Sequence, residues 1–204
     1  MDIGCGPGML TIELAKNTNG TIYALDIHEA FLERLNESSN LENVNEKIKT
    51  LNVSMFSLDE NFTEDELDLI CSEGSIYIIG FKEELEKWKP LLKNDGYLVA
   101  SEISWLKDNL PKEIKEYWDS EYPSMNNIKD NLEVIKEYDY KLVDYFKIPE
   151  SSWFDSCYSP LEERVHILYK TYKGKKMGRG SKKSSLKKLK CIENTANITV
   201  MCFI

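Results

Sequence analysis

A glycine-rich loop near the start of the sequence carries the strongest chemical signal in the chain. It reads DIGCGPG from Asp2 to Gly8 and has glycine at every second position, at Gly4, Gly6 and Gly8. Glycine is needed where a backbone takes a positive φ or approaches a ligand more closely than a Cβ atom permits. Because the loop precedes a predicted helix, it can wrap a cofactor against a helix N-terminus, whose free N–H groups attract negative groups.

The glycine spacing separates two classes of cofactor. The dinucleotide fingerprint G-x-G-x-x-G would require glycine at position 9, where this chain has Met9. The pattern here is D-x-G-x-G-x-G, and a loop with no pyrophosphate to cradle suits the amino-acid portion of S-adenosylmethionine. Asp2 would accept a hydrogen bond from that portion or fix the loop. The alternative is a glycine-rich turn with a purely structural role.

Asp26 is a second candidate for cofactor binding, because it ends the predicted second strand. It stands 22 residues after Gly4, close to the offset of about 20 residues at which an acidic side chain meets the ribose hydroxyls of a nucleotide. Taken alone, Asp26 could equally cap the following helix, since Asp is a favoured N-cap residue. Together, the loop and the acid favour ribose binding.

Three longer stretches resemble a known family. The runs DIGCGPGMLTIELA, YALDIHEAFLERL and DLICSEGSIYIIGFKEELEKWKPLLKNDGYLVASEISW are similar to class I S-adenosylmethionine-dependent methyltransferases, in particular the small bacterial and archaeal group related to the ubiquinone/menaquinone C-methyltransferases. The likeness covers roughly residues 1–165. It implies an α/β fold with a Rossmann-like, doubly wound, mostly parallel sheet that binds the cofactor at the carboxyl ends of its strands.

The resemblance also implies which residues bind S-adenosylmethionine. They belong to the glycine loop and to the ends of the second, third and fourth strands: Asp2, Gly4, Cys5, Gly6, Gly8, Asp26, Ile27, Ser54, Met55 and Ser72. Many relatives carry an aspartate where Ser54 stands, so we expect recognition of the adenine to be weaker or to rely on backbone groups. Glu73 and Tyr77 follow the fourth strand, whose end faces the transferable methyl in the family, and are the candidate catalytic residues. Glu73 could orient a nucleophile, take its proton, or cap the next helix.

Methyl transfer from a sulfonium needs little covalent help, because holding the nucleophile and the methyl in line can supply on the order of 7–11 kcal/mol. We therefore expect no metal, and the cysteines and histidines show no zinc-ligand spacing. Five residues are candidates for the acceptor side by position alone: Glu102, Trp105, Trp118, Tyr122 and Trp153. Such aromatics suit a small aromatic or cationic acceptor, although core packing would also explain most of them.

Short β-rich runs alternate with helical ones, as expected of βαβ units around a parallel sheet. The predicted strands cover residues 2–3, 21–25, 48–53, 67–71, 97–101 and 140–148. The predicted helices cover residues 9–16, 29–36, 81–93, 112–118 and 128–137, with a turn at 94–96.

Composition and charge narrow the class of partner. The chain has 204 residues, 42% of them hydrophobic, enough for one domain with a sizeable core. Residues 1–169 hold 34 of the 35 acidic residues and 16 of the 26 basic ones, and such a surface repels phosphate backbones. We expect a small-molecule substrate, no nucleic-acid or membrane partner, a possible homodimer and a cytoplasmic location, since no apolar run approaches the roughly 20 residues of a membrane span.

The two ends of the chain give further expectations. The methyltransferase domain is expected over residues 1–172, truncated at its first strand, with an inserted helical and aromatic substrate-side segment over residues 105–153. Residues 173–204 form an atypical basic tail that a frameshift near residues 173–176 would explain; contact with nucleic acid or an anionic membrane is the other explanation. Two other functions stay open: an inactive or non-enzymatic fragment of such an enzyme, and an NAD-dependent oxidoreductase, which Met9 disfavours.

Overall fold

The computed structural model of the protein describes residues 1–107, 109, 111–149, 151, 159–171 and 195–203. Within these ranges seven strands form one sheet: Asp2–Ile3 (β1), Ile22–Leu25 (β2), Ile48–Leu51 (β3), Leu67–Ser72 (β4), Leu92–Trp105 (β5), Lys141–Lys147 (β6) and Thr195–Phe203 (β7). The strands lie in the order β3-β2-β1-β4-β5-β7-β6.

The first five strands pair in parallel, with β1 at the centre. Asp2 is in register with Ala24 of β2 and with Cys71 of β4. Because parallel strands run in one direction, the loops that follow them meet at one edge of the sheet. The predicted doubly wound, mostly parallel sheet is confirmed, and its carboxyl edge brings the glycine loop, Asp26 and the loop after β4 together.

The α-helices of the described residues are Met9–Asn17 (α1), Glu29–Leu41 (α2), Phe81–Trp88 (α3), Lys112–Glu121 (α4), Ile128–Glu137 (α5) and Ser159–Thr171 (α6). The core contains apolar side chains of the central strands and of the first three helices that are at most 1% exposed, among them Ile3, Leu25, Leu35, Ile70, Leu85, Trp88 and Leu98. At about 25 cal/mol per Å² of apolar surface, burial of these large side chains is the main force that holds the helices on the sheet.

Strand β5 is longer than the sequence predicts, because the predicted turn at residues 94–96 lies inside it. Leu67 of β4 pairs with Leu92, whereas Leu69 pairs with Tyr97, so the register shifts between these two pairs. Asp95 has a φ of +66° within the irregularity. The residues of the predicted turn therefore form a β-bulge, and strand β5 continues on both sides of it.

Four helices end at residues other than those predicted, and helices α2 and α3 differ most. Helix α3 ends at Trp88 and passes into a 3-10 turn, Lys89–Leu91. Pro90 explains the change, since proline has no N–H to donate to the carbonyl four residues before it. Helix α2 continues to Leu41, beyond the predicted end at residue 36, and its buried face extends as far as Ser39.

The chain divides into two compact units. The first comprises Met1–Glu102, Lys129–Phe146 and Thr199–Ile204; the second comprises Ile103–Ile128 and Lys147–Ile198. The range predicted as a substrate-side segment, residues 105–153, is therefore divided between the two. Residues 173–194 and 204 of the predicted basic tail lie outside the described residues, and no strand was expected in the segment that forms β7. In the described part of the chain, no helix is both long enough and apolar enough to cross a membrane.

Candidate functional site

The glycine loop takes a backbone shape that depends on glycine. Gly4, Gly6 and Gly8 have φ values of +69°, +53° and +85°, in the left-handed region that other residues rarely adopt. A Cβ atom on Gly4 would lie 2.6 Å from the Cβ and Oγ atoms of Ser75, and one on Gly8 would lie 2.2 Å from Leu35 Cδ1. A Cβ atom on Gly6 would meet nothing within 4 Å. Gly4 and Gly8 are therefore fixed by packing, whereas Gly6 leaves open space where a ligand can approach the backbone.

This difference predicts losses of stability of unequal size for two alanine substitutions. Gly8→Ala should lower the free energy of unfolding by about 2 kcal/mol or more, because left-handed strain adds to a clash with a core leucine. Gly6→Ala carries the same type of strain without the clash, so it should cost about 1 kcal/mol. Urea denaturation of both variants measures the difference, and equal losses of stability would contradict the packing assigned to Gly8.

Asp26 links the end of β2 to the glycine loop. Its Oδ2 atom accepts a hydrogen bond from the Gly6 N–H at 3.0 Å, and its Oδ1 atom accepts one from the His28 N–H at 2.9 Å. His28 immediately precedes helix α2, so the carboxylate braces the helix start and the loop together. A carboxylate offers about four acceptor sites, and two therefore remain for a bound ligand.

A group of buried serines follows strand β4 and connects the ends of the central strands. Ser75 Oγ donates to the Ile3 carbonyl at 2.8 Å and is 2.9 Å from Ser72 Oγ. The Gly74 N–H donates to Ser101 Oγ of β5 at 2.6 Å. These bonds hold the loop after β4 against β1 on one side and β5 on the other.

A cavity of about 270 Å³ opens at the carboxyl ends of strands β1 to β4, within the first unit. It is lined by residues from the glycine loop and from the three loops or turns that follow β2, β3 and β4: Ile3, Gly4, Gly6, Leu25–His28, Phe31, Val53–Phe56, Gly74, Ser75 and Ile78. The lining is mainly apolar, and Asp26 supplies its carboxylate. Pockets of this composition take small organic ligands, with a few polar groups to fix orientation.

Six of the predicted cofactor-binding residues line this cavity: Gly4, Gly6, Asp26, Ile27, Ser54 and Met55. Ser54 begins a short 3-10 helix, and its Oγ atom accepts a hydrogen bond from the Phe56 N–H at 3.3 Å. This bond uses an acceptor site of the Ser54 hydroxyl. Contacts of Met55 and Phe56 with a ligand would therefore be largely apolar.

The other four predicted cofactor-binding residues do not line the cavity: Asp2, Cys5, Gly8 and Ser72. The Asp2 side chain is buried and accepts a hydrogen bond from the Thr11 hydroxyl, which ties β1 to helix α1. Burial raises the pKa of Asp2, while the bond from Thr11 opposes that rise. These contacts fit the second of the two roles expected for Asp2, which is to fix the glycine loop.

Cys5 is a structural residue of the loop. Its N–H donates to the Leu25 carbonyl at 2.9 Å, which anchors the loop to β2. Burial, followed by the nearby carboxylates of Asp2 and Asp26, raises the pKa of the Cys5 thiol to about 12. The thiol is therefore protonated at neutral pH and is a poor nucleophile.

The candidate catalytic and acceptor-side residues are dispersed. Glu73 and Tyr77 are exposed in the loop after β4, on either side of the cavity residues Gly74 and Ser75. Glu102 is 1% exposed on β5 in the first unit and raises the pKa of Glu84 on helix α3 by charge repulsion.

The other acceptor-side candidates are aromatic. Trp105, Trp118 and Tyr122 belong to the second unit, and Tyr122 is buried there. Trp153 lies outside the described residues. The described residues include no group of three or more His, Cys, Asp or Glu side chains that could hold a metal ion.

Several cavity residues do not stand out in the sequence. Ser75 is held at the cavity by its hydrogen bond to the Ile3 carbonyl, 72 residues earlier in the sequence. No local sequence pattern indicates this contact. His28 and Phe31 lie at the start of α2 with their rings 5.4 Å apart in an edge-to-face arrangement. Their spacing of three residues is the only available signal, since positions three apart share one face of a helix.

Comparison with protein families assigns this chain to a class. A family model described as a methyltransferase domain matches residues 1–155. The match covers well over half of the chain, and the protein therefore belongs to this methyltransferase family. The predicted class I methyltransferase is confirmed; its resemblance to the ubiquinone/menaquinone C-methyltransferase group stays a prediction.

Solved structures show the same fold at low sequence identity. A SAM-dependent methyltransferase from Thiobacillus denitrificans, in complex with S-adenosyl-L-homocysteine, is 12% identical with a TM-score of 0.81, over 100% of this chain and 83% of that one. A SAM-dependent methyltransferase from Geobacter sulfurreducens, also with S-adenosyl-L-homocysteine, is 11% identical with a TM-score of 0.80, over 98% of this chain and 82% of that one.

A third structure contains geranyl diphosphate as well. Geranyl diphosphate C-methyltransferase from Streptomyces coelicolor A3(2), in complex with Mg2+, geranyl diphosphate and S-adenosyl-L-homocysteine, is 10% identical with a TM-score of 0.66, over 99% of this chain and 70% of that one. A search of curated proteins by sequence gives no significant match.

Proposed function

We propose that this protein binds S-adenosylmethionine in the cavity at the carboxyl ends of β1 to β4 and transfers its methyl group to a small-molecule acceptor. The observation that carries the proposal is the hydrogen bond from the Gly6 N–H to Asp26 Oδ2 at 3.0 Å. It joins the glycine loop and the candidate ribose-binding acid in one wall of one cavity.

The residues of this cavity fit the parts of the cofactor. Asp26 retains acceptor sites for a pair of ribose hydroxyls, because each carboxylate oxygen accepts one protein N–H. Gly6 allows close approach of the amino-acid portion, since its missing Cβ would point into open space. Phe31, Met55, Phe56 and Ile78 provide an apolar surface for the adenine.

When bound, S-adenosylmethionine supplies a methyl group on a sulfonium, which is already activated for transfer. The chain's own contribution is orientation: a rigid loop, a carboxylate and buried serines hold one geometry at the strand ends. Orientation of this kind can supply on the order of 7–11 kcal/mol of rate acceleration. Glu73, exposed next to the cavity residue Gly74, is the side chain proposed to take a proton from the acceptor.

A small-molecule acceptor fits the charge of the protein better than a nucleic acid does. Residues 1–169 carry 34 acidic and 16 basic residues, which gives a strongly negative body. Phosphate backbones are repelled by such a surface.

Calorimetric titration of the full chain tests the proposed cofactor. We expect saturable binding of S-adenosylmethionine and S-adenosylhomocysteine and no heat of binding with NAD. Binding of NAD alone would show an oxidoreductase-type site, and binding of none of the three would show an inactive fragment. Incubation with S-adenosylmethionine labelled in the methyl group and pools of small metabolites then tests transfer, and label found only in added RNA or DNA would overturn the proposed acceptor class.

A further inference from the structure

Ser75 occupies a position between two loops that both line the cavity. It follows β4 and is 5% exposed, yet it belongs to the cavity wall together with Gly4 of the glycine loop. Its hydroxyl bonds to the carbonyl of Ile3, the last residue of β1, at 2.8 Å. The peptide that accepts this bond is the one that leads directly into Gly4.

The hydrogen bonds around Ser75 have one consistent direction. A serine hydroxyl has a single proton, and that of Ser75 is donated to the Ile3 carbonyl, which can only accept. Ser72 Oγ, 2.9 Å away, must therefore donate its proton to Ser75 Oγ. Ser72 is the last residue of β4 and is fully buried, so the two hydrogen bonds run in one direction from the end of β4 through Ser75 to the Ile3 carbonyl.

Ser75 is also in direct packing contact with the glycine loop. The position of a Cβ atom on Gly4 would be 2.6 Å from both Cβ and Oγ of Ser75. The side chain of Ser75 thus takes the space that a side chain at Gly4 would need. The loop is held from two directions, by a hydrogen bond on its first peptide and by contact with its first glycine.

We infer that Ser75 is a positioning residue that holds the glycine loop in the shape that receives the amino-acid portion of the methyl donor. This inference rests on the proposed function. It predicts that Ser75 affects the binding of the amino-acid portion of the ligand. The ribose is assigned to Asp26, which is bonded to Gly6 and His28 and not to Ser75. Loss of the Ser75 hydroxyl should therefore weaken ligands that carry the amino-acid portion and spare those that lack it.

The test compares two ligands on the full chain. S-Adenosylhomocysteine carries the amino-acid portion, and 5′-methylthioadenosine has the same nucleoside without it. For Ser75→Ala we expect the affinity for S-adenosylhomocysteine to fall by about tenfold, the usual effect of leaving one buried carbonyl without its donor. The affinity for methylthioadenosine should stay within about twofold of the wild type, because its ribose contact, Asp26, is also fixed by the His28 N–H at the start of α2.

Ser39→Ala is the matched control. Ser39 is 1% exposed in helix α2 and donates to the Asn36 carbonyl at 2.9 Å, so it loses the same type of bond outside the cavity. It should leave both affinities unchanged. If Ser75→Ala does not fold, Ser75→Cys keeps the size of the side chain and a weak donor, and should show the same selective loss at a smaller magnitude.

The outcomes separate this inference from the proposed function. If the wild type binds S-adenosylhomocysteine and the Ser75 variants lose both ligands equally, or neither, the positioning role is wrong while the proposed function stands. If the wild type binds neither ligand, the proposed function fails, and the inference fails with it. A selective loss of S-adenosylhomocysteine in the Ser75 variants alone is the expected result.

Discussion

Replacing Asp26 with alanine is expected to weaken the binding of S-adenosylmethionine and S-adenosylhomocysteine by about 1–3 kcal/mol. The change removes the proposed acceptor of the ribose hydroxyls. It also removes the acceptor of the Gly6 and His28 N–H groups, which lie 3.0 and 2.9 Å from the carboxylate. Calorimetric titration of the variant measures the loss, and circular dichroism shows whether the fold is kept.

Asp68→Ala is the control for the loss of a carboxylate. Asp68 lies on β4, and its side chain is 84% exposed in an ion pair with Lys93, a kind of pair that contributes little. It does not belong to the cavity wall, so its removal should leave the cofactor affinity unchanged. An Asp26 variant that binds as tightly as the wild type would show that Asp26 only braces the start of helix α2.

The second large effect concerns Glu84, which is buried in the core of the first unit. The side chain is 0% exposed on helix α3, and neither carboxylate oxygen has a hydrogen-bond partner among the described residues. Burial, followed by repulsion from Glu102 and Glu83, raises the pKa of Glu84 to about 10. The folded protein therefore keeps a proton on Glu84 at neutral pH that the unfolded chain releases.

This proton makes stability depend on pH in a defined direction. The folded pKa lies above the ordinary value of 4.5, so the stabilising effect of the proton is fully present below pH 4.5 and is lost as the pH rises toward about 10. We expect the free energy of unfolding to fall between about pH 6 and pH 9, with a slope of at most about 1.4 kcal/mol per pH unit. Glu84→Gln should remove this slope, because the amide keeps the size of the side chain and has no proton to lose.

Urea denaturation at several pH values measures the slope for the wild type and for each variant. Glu86→Gln is the matched control, since Glu86 is exposed two residues along the same helix, and it should leave the slope in place. A stability of the wild type that is constant or rises over this pH range would contradict a protonated Glu84.

Much of the site could be predicted because its signals are local in the sequence. The glycine loop is defined by its own spacing, and Asp26 by its place at the end of β2, 22 residues after Gly4. Gly4, Gly6 and Asp26 all line the cavity. Ser72 is a predicted cofactor-binding residue that does not line the cavity. Strand β4 extends one residue beyond its predicted end to include Ser72, whose side chain is buried, and Ser75 takes the position at the cavity.

The remaining features depend on contacts between distant parts of the chain. The reason for glycine at position 8 is Leu35 of helix α2, and the shift of register in β5 depends on its pairing with β4. A sequence pattern gives spacing along one element and contains no information on which side chain of another element fills the space beside it. The same limit applies to Glu84, which the sequence places on an amphipathic helix and the structure places beside Glu102.

We expect the glycine loop, Asp26 and the loop after β4 to form one binding site for S-adenosylmethionine. Titration of the ¹⁵N-labelled full chain with S-adenosylhomocysteine, followed by amide chemical shifts, tests it most directly. We predict saturable shifts at Gly4, Gly6, Ile27 and Gly74, which line the cavity, and none at Gly20, which does not. Absence of shifts at the glycine loop, or shifts confined to residues outside the cavity, would contradict the claim.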